Sequence, residues 1–309
     1  MIAASDVKKF EGRGVAGELE LQLSMGMVLF FGRGLEIHGK QVLALWNELL
    51  DWRGREVFSW ARLGGGNKSR KMDGPAYRTV EAWLSGTKPC GTTCWIEIHG
   101  GDWEEIGAHS FAMEGRGAGD KRVSAVDIRL PVSVSSEETI DALAERFCRL
   151  AGHLDFLCGT AGLMLHATPF DRQRLWPEMK KLVMRYEGVE PDIVEDGEYT
   201  ADFGLTGVNW LTFVGAKYLH LLGGAAAVQT LATQHKNVTV YETGRGLALR
   251  AGAHPQLGDR NKGITELLAY RDVYAIVKPV IFADPRYAFD EQHFDGDETV
   301  AWVHRFGRT

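Results

Sequence analysis

Apolar residues follow two different periods along the chain, and each period predicts a different element. Alternation of apolar and polar residues, or a short unbroken apolar run, predicts a β-strand. Strands are predicted in this way at residues 18–31, 96–99, 126–130, 157–166, 238–241 and 247–250. The second and third segments alternate with charged residues or histidine, which predicts strands buried on one face only. The last two flank the Gly-Arg-Gly at 244–246, which predicts a hairpin closed by a glycine turn.

Apolar residues spaced by three and four predict helices. The segments with this spacing are residues 36–52, 135–150, 175–186, 211–221 and 267–277. The second has the clearest start, because Ser135 and Glu138 form a capping-box pattern in front of its apolar face. Hairpins and helices without regular βαβ alternation predict an α+β fold, with a mainly antiparallel sheet and helices packed on it.

No linker rich in proline, serine or glutamine marks a domain boundary in the chain. The 309 residues therefore predict one compact unit, or two similar halves packed tightly together. We expect residues 1–16 to form an N-terminal leader and residues 17–306 to form a single domain.

The composition, with 45% hydrophobic and 25% charged residues, is that of a globular protein. A formal net charge of -6 supplies no electropositive field, which argues against direct binding of nucleic acid. The N-terminus lacks the apolar region of a signal peptide, and no apolar stretch approaches the ~20 residues that span a bilayer. We therefore expect a soluble, cytoplasmic protein with no membrane partner.

Motifs that would indicate a metal, cofactor or catalytic site fail on spacing or context. Cys90 and Cys94 have the spacing C-x3-C, but no second pair of ligands follows, so no metal is expected. Residues 12–17 match G-x-G-x-x-G, but a strand follows these glycines instead of preceding them. Residues 64–69 lack the glycine spacing of a phosphate loop. The sequence predicts a protein that is not an enzyme and that needs no cofactor.

The loop at residues 254–263 leaves an alternative open. Its polar side chains, among them His254, Asp259 and Asn261, could hold a small ligand in a binding module or an enzyme. The same residue types also satisfy the backbone of a structured loop, and this second interpretation is favoured.

An acidic tract at residues 187–202 is the most informative feature. It carries seven carboxylates and no Lys or Arg: Glu187, Glu190, Asp192, Glu195, Asp196, Glu198 and Asp202. Tyr199 and the adjoining Phe203 lie among these charges, and apolar anchors amid charge of one sign are typical of a protein interface. A solvated loop is the alternative. The candidate partner contacts are Glu190, Asp192, Glu195, Asp196, Glu198, Tyr199 and Asp202, of which we expect Glu195, Asp196 and Glu198 to face solvent.

Three segments, at residues 207–212, 257–263 and 302–306, resemble a bacterial family of type VI secretion immunity proteins. The similarity runs from about residue 17 to residue 306. The resemblance implies a protein that binds and neutralises a cognate toxin in the producing cell, where the toxins include nucleases of restriction-endonuclease fold. It implies no catalytic residues, and it leaves a homodimer open as the oligomeric state.

A nuclease partner gives the acidic tract a specific role. A nuclease must present a positive surface to phosphates, and an acidic inhibitor can cover that surface. We therefore expect the tract to form part of the face that binds the toxin.

Overall fold

The computed structural model describes residues 2–64, 68–101, 106–168, 172–192, 194–262 and 267–307. The glycine-rich loop at 64–69 and the end of the 254–263 loop fall partly outside these residues. So does Ile193 of the acidic tract.

Twelve strands of the described residues form a continuous sheet. They are β1 (Gly12–Arg13), β2 (Leu19–Phe31), β3 (Trp60–Leu63), β4 (Arg70–Lys71), β5 (Thr93–His99), β6 (Ser110–Arg116), β7 (Ser124–Pro131), β8 (Phe156–Ala167), β9 (Val189–Glu190), β10 (Leu211–Gly215), β11 (Val238–Glu242) and β12 (Gly246–Ala251). Their order is β11-β12-β10-β8-β2-β7-β6-β5-β3-β4, with β1 paired to β2 and β9 to β8. Each pair along this order is antiparallel, and the short pair β8–β9 is parallel. The prediction of an α+β fold with a mainly antiparallel sheet is confirmed.

Helices pack on this sheet. They are α1 (Ala4–Val7), α2 (Leu35–Arg53), α3 (Gly74–Leu84), α4 (Val134–Glu137), α5 (Ile140–Gly152), α6 (Arg172–Arg185), α7 (Val194–Thr200), α8 (Ala216–Leu221), α9 (Ala225–Ala232), α10 (Leu268–Val277) and α11 (Gly296–Val303). Helix α2 ends at Gly54, as predicted, because the φ of 85° there suits glycine. Among the residues that the structure describes, no helix combines the length and the apolar composition needed to cross a membrane.

One face of β5, β6 and β7, here called the first face, forms the main core together with α2. Ile98, Phe111 and Ile128 are cross-strand neighbours on this face and are fully buried. Trp46 of α2 packs on Phe111 with ring centroids 4.7 Å apart. Aromatic burial of this size contributes several kcal/mol to folding. The helices α2 and α5, which contact each other through Trp52 and an aromatic ring of α5, therefore lie on this first face.

The second face of the central strands is also covered, which corrects one prediction. We expected residues 126–130 to be half-buried, but both Asp127 and Arg129 on the polar face of β7 are buried. The reason is that α6, α7 and the segment before α7 cover this side of the sheet, and they lie more than forty positions farther along the sequence. The alternation of polar and apolar residues within 126–130 cannot show that helices from a distant part of the chain bury the polar face.

Two helix predictions also differ from the structure. The helix α5 begins at Ile140, capped by the Thr139 side chain, and Ser135 lies in the separate short helix α4. Glu138 is extended between them, so the predicted capping box does not form. Residues 211–215, predicted as helix, form β10 because they fill the gap between β8 and β12 and are fully buried there.

Residues before position 17 contact the same sheet. Phe10 is fully buried against Tyr186, and β1 pairs with β2. The division into a leader at 1–16 and a domain at 17–306 stays a prediction.

Candidate functional site

The acidic tract crosses the second face of the sheet, and most of its carboxylates point inward. Asp192, Asp196 and Glu198 are 1%, 8% and 0% exposed. The expectation that Asp196 and Glu198 face solvent is therefore wrong. Each of the buried carboxylates has a cationic partner from elsewhere in the chain, and these partners explain how the charges are tolerated.

Asp192 lies at the centre of a buried network with two arginines. Its Oδ2 accepts a hydrogen bond of 2.9 Å from the backbone N–H of Ala167, and Arg129 and Arg172 approach its two oxygens to 3.5 and 3.6 Å. Burial raises the pKa of Asp192, but the attraction of the two guanidinium groups outweighs burial and holds that pKa below its ordinary value. Gly26 makes room for Arg129, because a Cβ there would lie 2.8 Å from its Nη1.

Glu198 forms a second buried cluster with Arg116 and Glu114. Arg116 donates to both carboxylates, and its Nε lies 3.1 Å from Oε2 of Glu198. Burial, and then the neighbouring charge of Glu114, raise the pKa of Glu198 to about 8. At neutral pH this carboxyl therefore adds little negative charge to the tract.

Asp196 holds the segment that precedes α11. Its Oδ2 lies 2.8 Å from Nδ1 of His293, whose ring also packs on Trp176 at 4.7 Å. Burial lowers the pKa of His293, but the hydrogen bond and charge of Asp196 outweigh burial and raise it above its ordinary value. This pair ties α7 to the C-terminal part of the chain.

The outward side of α7 and the turn after it carry three further candidates, Glu195, Tyr199 and Asp202. Glu195 is 45% exposed at its side chain and lies 2.9 Å from Nη1 of Arg172. Tyr199, one turn later, is 55% exposed, and Phe203 is 68% exposed. Asp202 is half-buried between Arg33 and Lys217, at 3.0 and 2.8 Å. Exposed aromatic side chains beside a carboxylate are thus present as the tract composition predicts.

Beside α7, a gap between the second face of β3, β5, β6 and β7 and the residues of α6 and α7 forms a cleft of about 380 Å³, here called the acidic cleft. Its titratable lining residues are Arg62, Glu97, Glu114, Asp127, Arg172, Glu195 and His293. One cross-strand row runs through Arg62, Glu97, Ala112 and Asp127. The acidic cleft is therefore built jointly by the strands and by the acidic tract.

The strand residues of the acidic cleft were not predicted from the sequence. Glu97, Glu114 and Asp127 alternate with apolar residues, which is the signal of one sheet face, but alternation does not show whether that face meets solvent or protein. Burial raises the pKa of all three above the ordinary carboxyl value, that of Asp127 to about 6. Nearby guanidinium groups reduce these shifts without removing them.

The 254–263 loop contributes to a separate groove of about 420 Å³ near the N-terminus. Asp259 there receives two hydrogen bonds from Arg185, at 3.0 and 2.9 Å, and one from the backbone N–H of Asn261. Arg185 and this backbone contact keep the pKa of Asp259 below its ordinary value. Asp259 is thus bonded within the chain to α6 and to its own loop, and the preference for a structured loop over a ligand site stays a prediction.

The three segments that carried the resemblance meet around Arg305. This buried guanidinium donates to the backbone carbonyls of Val208 and Glu187, at 3.1 and 2.9 Å, and to Oε1 of Glu190 at 2.7 Å. It lies 3.8 Å from the ring centroid of Trp302. The 257–263 segment joins through hydrogen bonds from residues 187 and 188 to the carbonyls of residues 258 and 257. Glu190 therefore holds Arg305, which follows α11, against the strands of the sheet.

Comparison with known proteins identifies relatives of this fold. The family model TsiV, described as type VI immunity for VRR-NUC, matches residues 47–306. A solved structure of a Pseudomonas aeruginosa T6SS protein is similar, with a TM-score of 0.78 and 16% sequence identity over 96% of this chain and 87% of that chain. At this identity the structural likeness shows the fold alone. No curated protein sequence matches the chain.

Proposed function

We propose that this chain, which belongs to the TsiV family of type VI immunity proteins for VRR-NUC, neutralises its toxin by forming a stable complex in the cytoplasm of the producing cell. The family membership confirms the resemblance found in the sequence. Complex formation without catalysis, the compartment and the binding face are our proposals. We expect no nuclease, hydrolase or oxidoreductase activity from the purified protein.

The observation that carries the binding face is the surface formed by the acidic cleft and the outward side of α7. Glu195 lines the cleft and is followed by two exposed rings, Tyr199 on α7 and Phe203 in the turn after it. Exposed aromatic side chains can be desolvated in an interface, where they contribute most of the binding energy. The carboxyls beside them suit a nuclease, whose surface for phosphate binding is cationic.

Burial divides the tract residues into two roles. Glu195, Tyr199 and Asp202 are accessible and remain proposed contacts of the toxin. The less exposed carboxyls would act by holding the tract in place through pairs with cations of the same chain, and they are Glu190, Asp192, Asp196 and Glu198. The negative net charge also supports the expectation that the protein does not bind nucleic acid itself.

The test is binding of the catalytically inactive VRR-NUC toxin encoded beside this chain. Tyr199→Ala and Phe203→Ala are expected to speed dissociation, each by about tenfold or more if its ring is an anchor. Leu268→Ala is the matched control, because Leu268 is 52% exposed on α10, which packs on β11 and β12 at the opposite end of the strand order from the cleft. Light scattering of the free and bound protein would also show whether it is a homodimer.

Two outcomes would contradict the proposal. A wild-type chain that protects cells while forming no detectable complex would exclude neutralisation by binding. Dissociation rates that are equal in the wild type and in both aromatic variants, with folding confirmed by circular dichroism, would place the interface on another face.

A further inference from the structure

The floor of the acidic cleft is made by two small residues among larger ones. Ala112 lies between Glu97 and Asp127 in one cross-strand row, and Ala125 lies beside Glu114 in the next. Neighbouring strands are about 4.8 Å apart, so the carboxyl-bearing residues on either side of Ala112 have their Cα atoms roughly 10 Å apart. The two methyl groups leave the space above them unfilled, between carboxyls that point into it.

The charges around this space are not balanced. Ion pairs join five carboxyls to four guanidinium groups among the described residues: Glu97, Glu114, Asp127, Asp192 and Glu195, with Arg62, Arg116, Arg129 and Arg172. Glu198, with its raised pKa, adds little charge at neutral pH, so one carboxyl of these pairs is in excess. Asp127 also has unused acceptor capacity, since its Oδ1 lies 3.0 Å from Nε of Arg129 without the alignment of a hydrogen bond.

We propose that the acidic cleft receives a cationic side chain, an arginine or a lysine, which the VRR-NUC nuclease inserts between Glu97 and Asp127 when the complex forms. This inference rests on the proposed function and adds the chemical nature of the central contact. A guanidinium has five donors and an ammonium three, and either would fill acceptors that the chain leaves unused. Trp95 also lines the cleft, and its ring centroid lies 5.7 Å from Cζ of Arg62, so this ring already contacts a guanidinium.

The insertion exchanges protons for a cation. In the free protein, burial favours the protonated form of the cleft carboxyls, and the pKa of Asp127 is about 6. The charged groups that face Asp127 are Arg129 on β7, Arg172 on α6 and Asp192 before α7. A cation beside Asp127 lowers its pKa, so binding releases protons near pH 6 and tightens as the pH rises through that value.

The experiment measures the affinity and the proton release of the same inactive nuclease by calorimetry, in two buffers of different ionisation enthalpy. Ala112→Leu fills the floor of the cleft without changing any charge, and Glu97→Gln removes one carboxylate while keeping its shape. Each is expected to weaken binding by about tenfold or more. Asp127→Asn is expected to reduce the number of protons released near pH 6.

Glu145→Gln is the matched control, because Glu145 is exposed on α5, which lies on the first face of the sheet. It is expected to bind as tightly as the wild type. Circular dichroism and thermal unfolding establish that each variant is folded.

Unchanged affinity in folded Ala112→Leu and Glu97→Gln would overturn the inference while leaving the proposed function intact. Proton release equal in the wild type and Asp127→Asn would overturn it as well. Failure of the wild-type chain to bind would overturn both.

Discussion

Replacing Glu198 by glutamine tests how the acidic tract is held against the sheet. Glu198 is fully buried, and glutamine keeps its volume while removing its ionisation. The pKa of Glu198 rises from 4.5 to about 8, chiefly through burial and then through Glu114. Between these two values the folded chain holds a proton that the unfolded chain has released. The free energy of unfolding of the wild type therefore falls as the pH rises through this window.

The magnitude follows from the size of the shift. One pKa unit corresponds to 1.36 kcal/mol, so the ionisation of Glu198 costs the folded state about 4 to 5 kcal/mol over the full window. Glu198→Gln has no such cost. We expect the variant to match the wild type near pH 5 and to be more stable by about 4 kcal/mol near pH 9.

Urea unfolding of both proteins at a series of pH values measures this difference. Glu145→Gln serves again as the control, since its exposed side chain should leave the pH profile parallel to that of the wild type. Parallel profiles for Glu198→Gln and the wild type would refute the reasoning, because they would mean that the buried carboxyl ionises as easily in the folded chain as in the unfolded one.

Three further predictions concern packing, the C-terminal anchor and metal content. Gly197→Ala should destabilise the fold by about 2 kcal/mol in urea unfolding, because a Cβ there would lie 2.2 Å from Cζ of Phe30. Gly119→Ala, with no atom within 4 Å, should change stability by less than about 0.5 kcal/mol. Glu190→Gln should cost about 3 kcal/mol in the same assay by leaving the buried Arg305 without its carboxylate, and an unchanged midpoint would contradict that role. Elemental analysis should find no stoichiometric zinc, because the described residues hold no group of three potential ligands.

Local patterns were sufficient to predict much of the fold. The strands β2 and β8 and the β11–β12 hairpin carry their periods within their own sequences, and the structure confirms them. Residues 211–215 were predicted wrongly because a buried central strand and one face of a helix can share the same apolar spacing. Only the neighbours β8 and β12 decide between the two, and they are distant in sequence.

The candidate site was predictable in composition but not in geometry. Glu198 and its partner Arg116 are 82 positions apart, and Asp192 and Arg129 are 63 apart. No local window contains both members of either pair, so a run of seven carboxylates without a cation appears solvated when read alone. Tyr199 could be proposed as a contact because an aromatic residue amid charges stands out in the sequence itself, and the structure leaves it 55% exposed.

The helix α7 separates what can vary in this protein from what cannot. On its inner side, Asp196 and Glu198 are fixed by partners on other elements, so substitutions that change their size would disturb the fold. On its outer side, Glu195 and Tyr199 contact few groups of the chain and can be replaced at little structural cost. If this outer side is part of the toxin-binding face, as proposed, substitutions on it can change that part of the contact. They would do so without rearranging the sheet beneath.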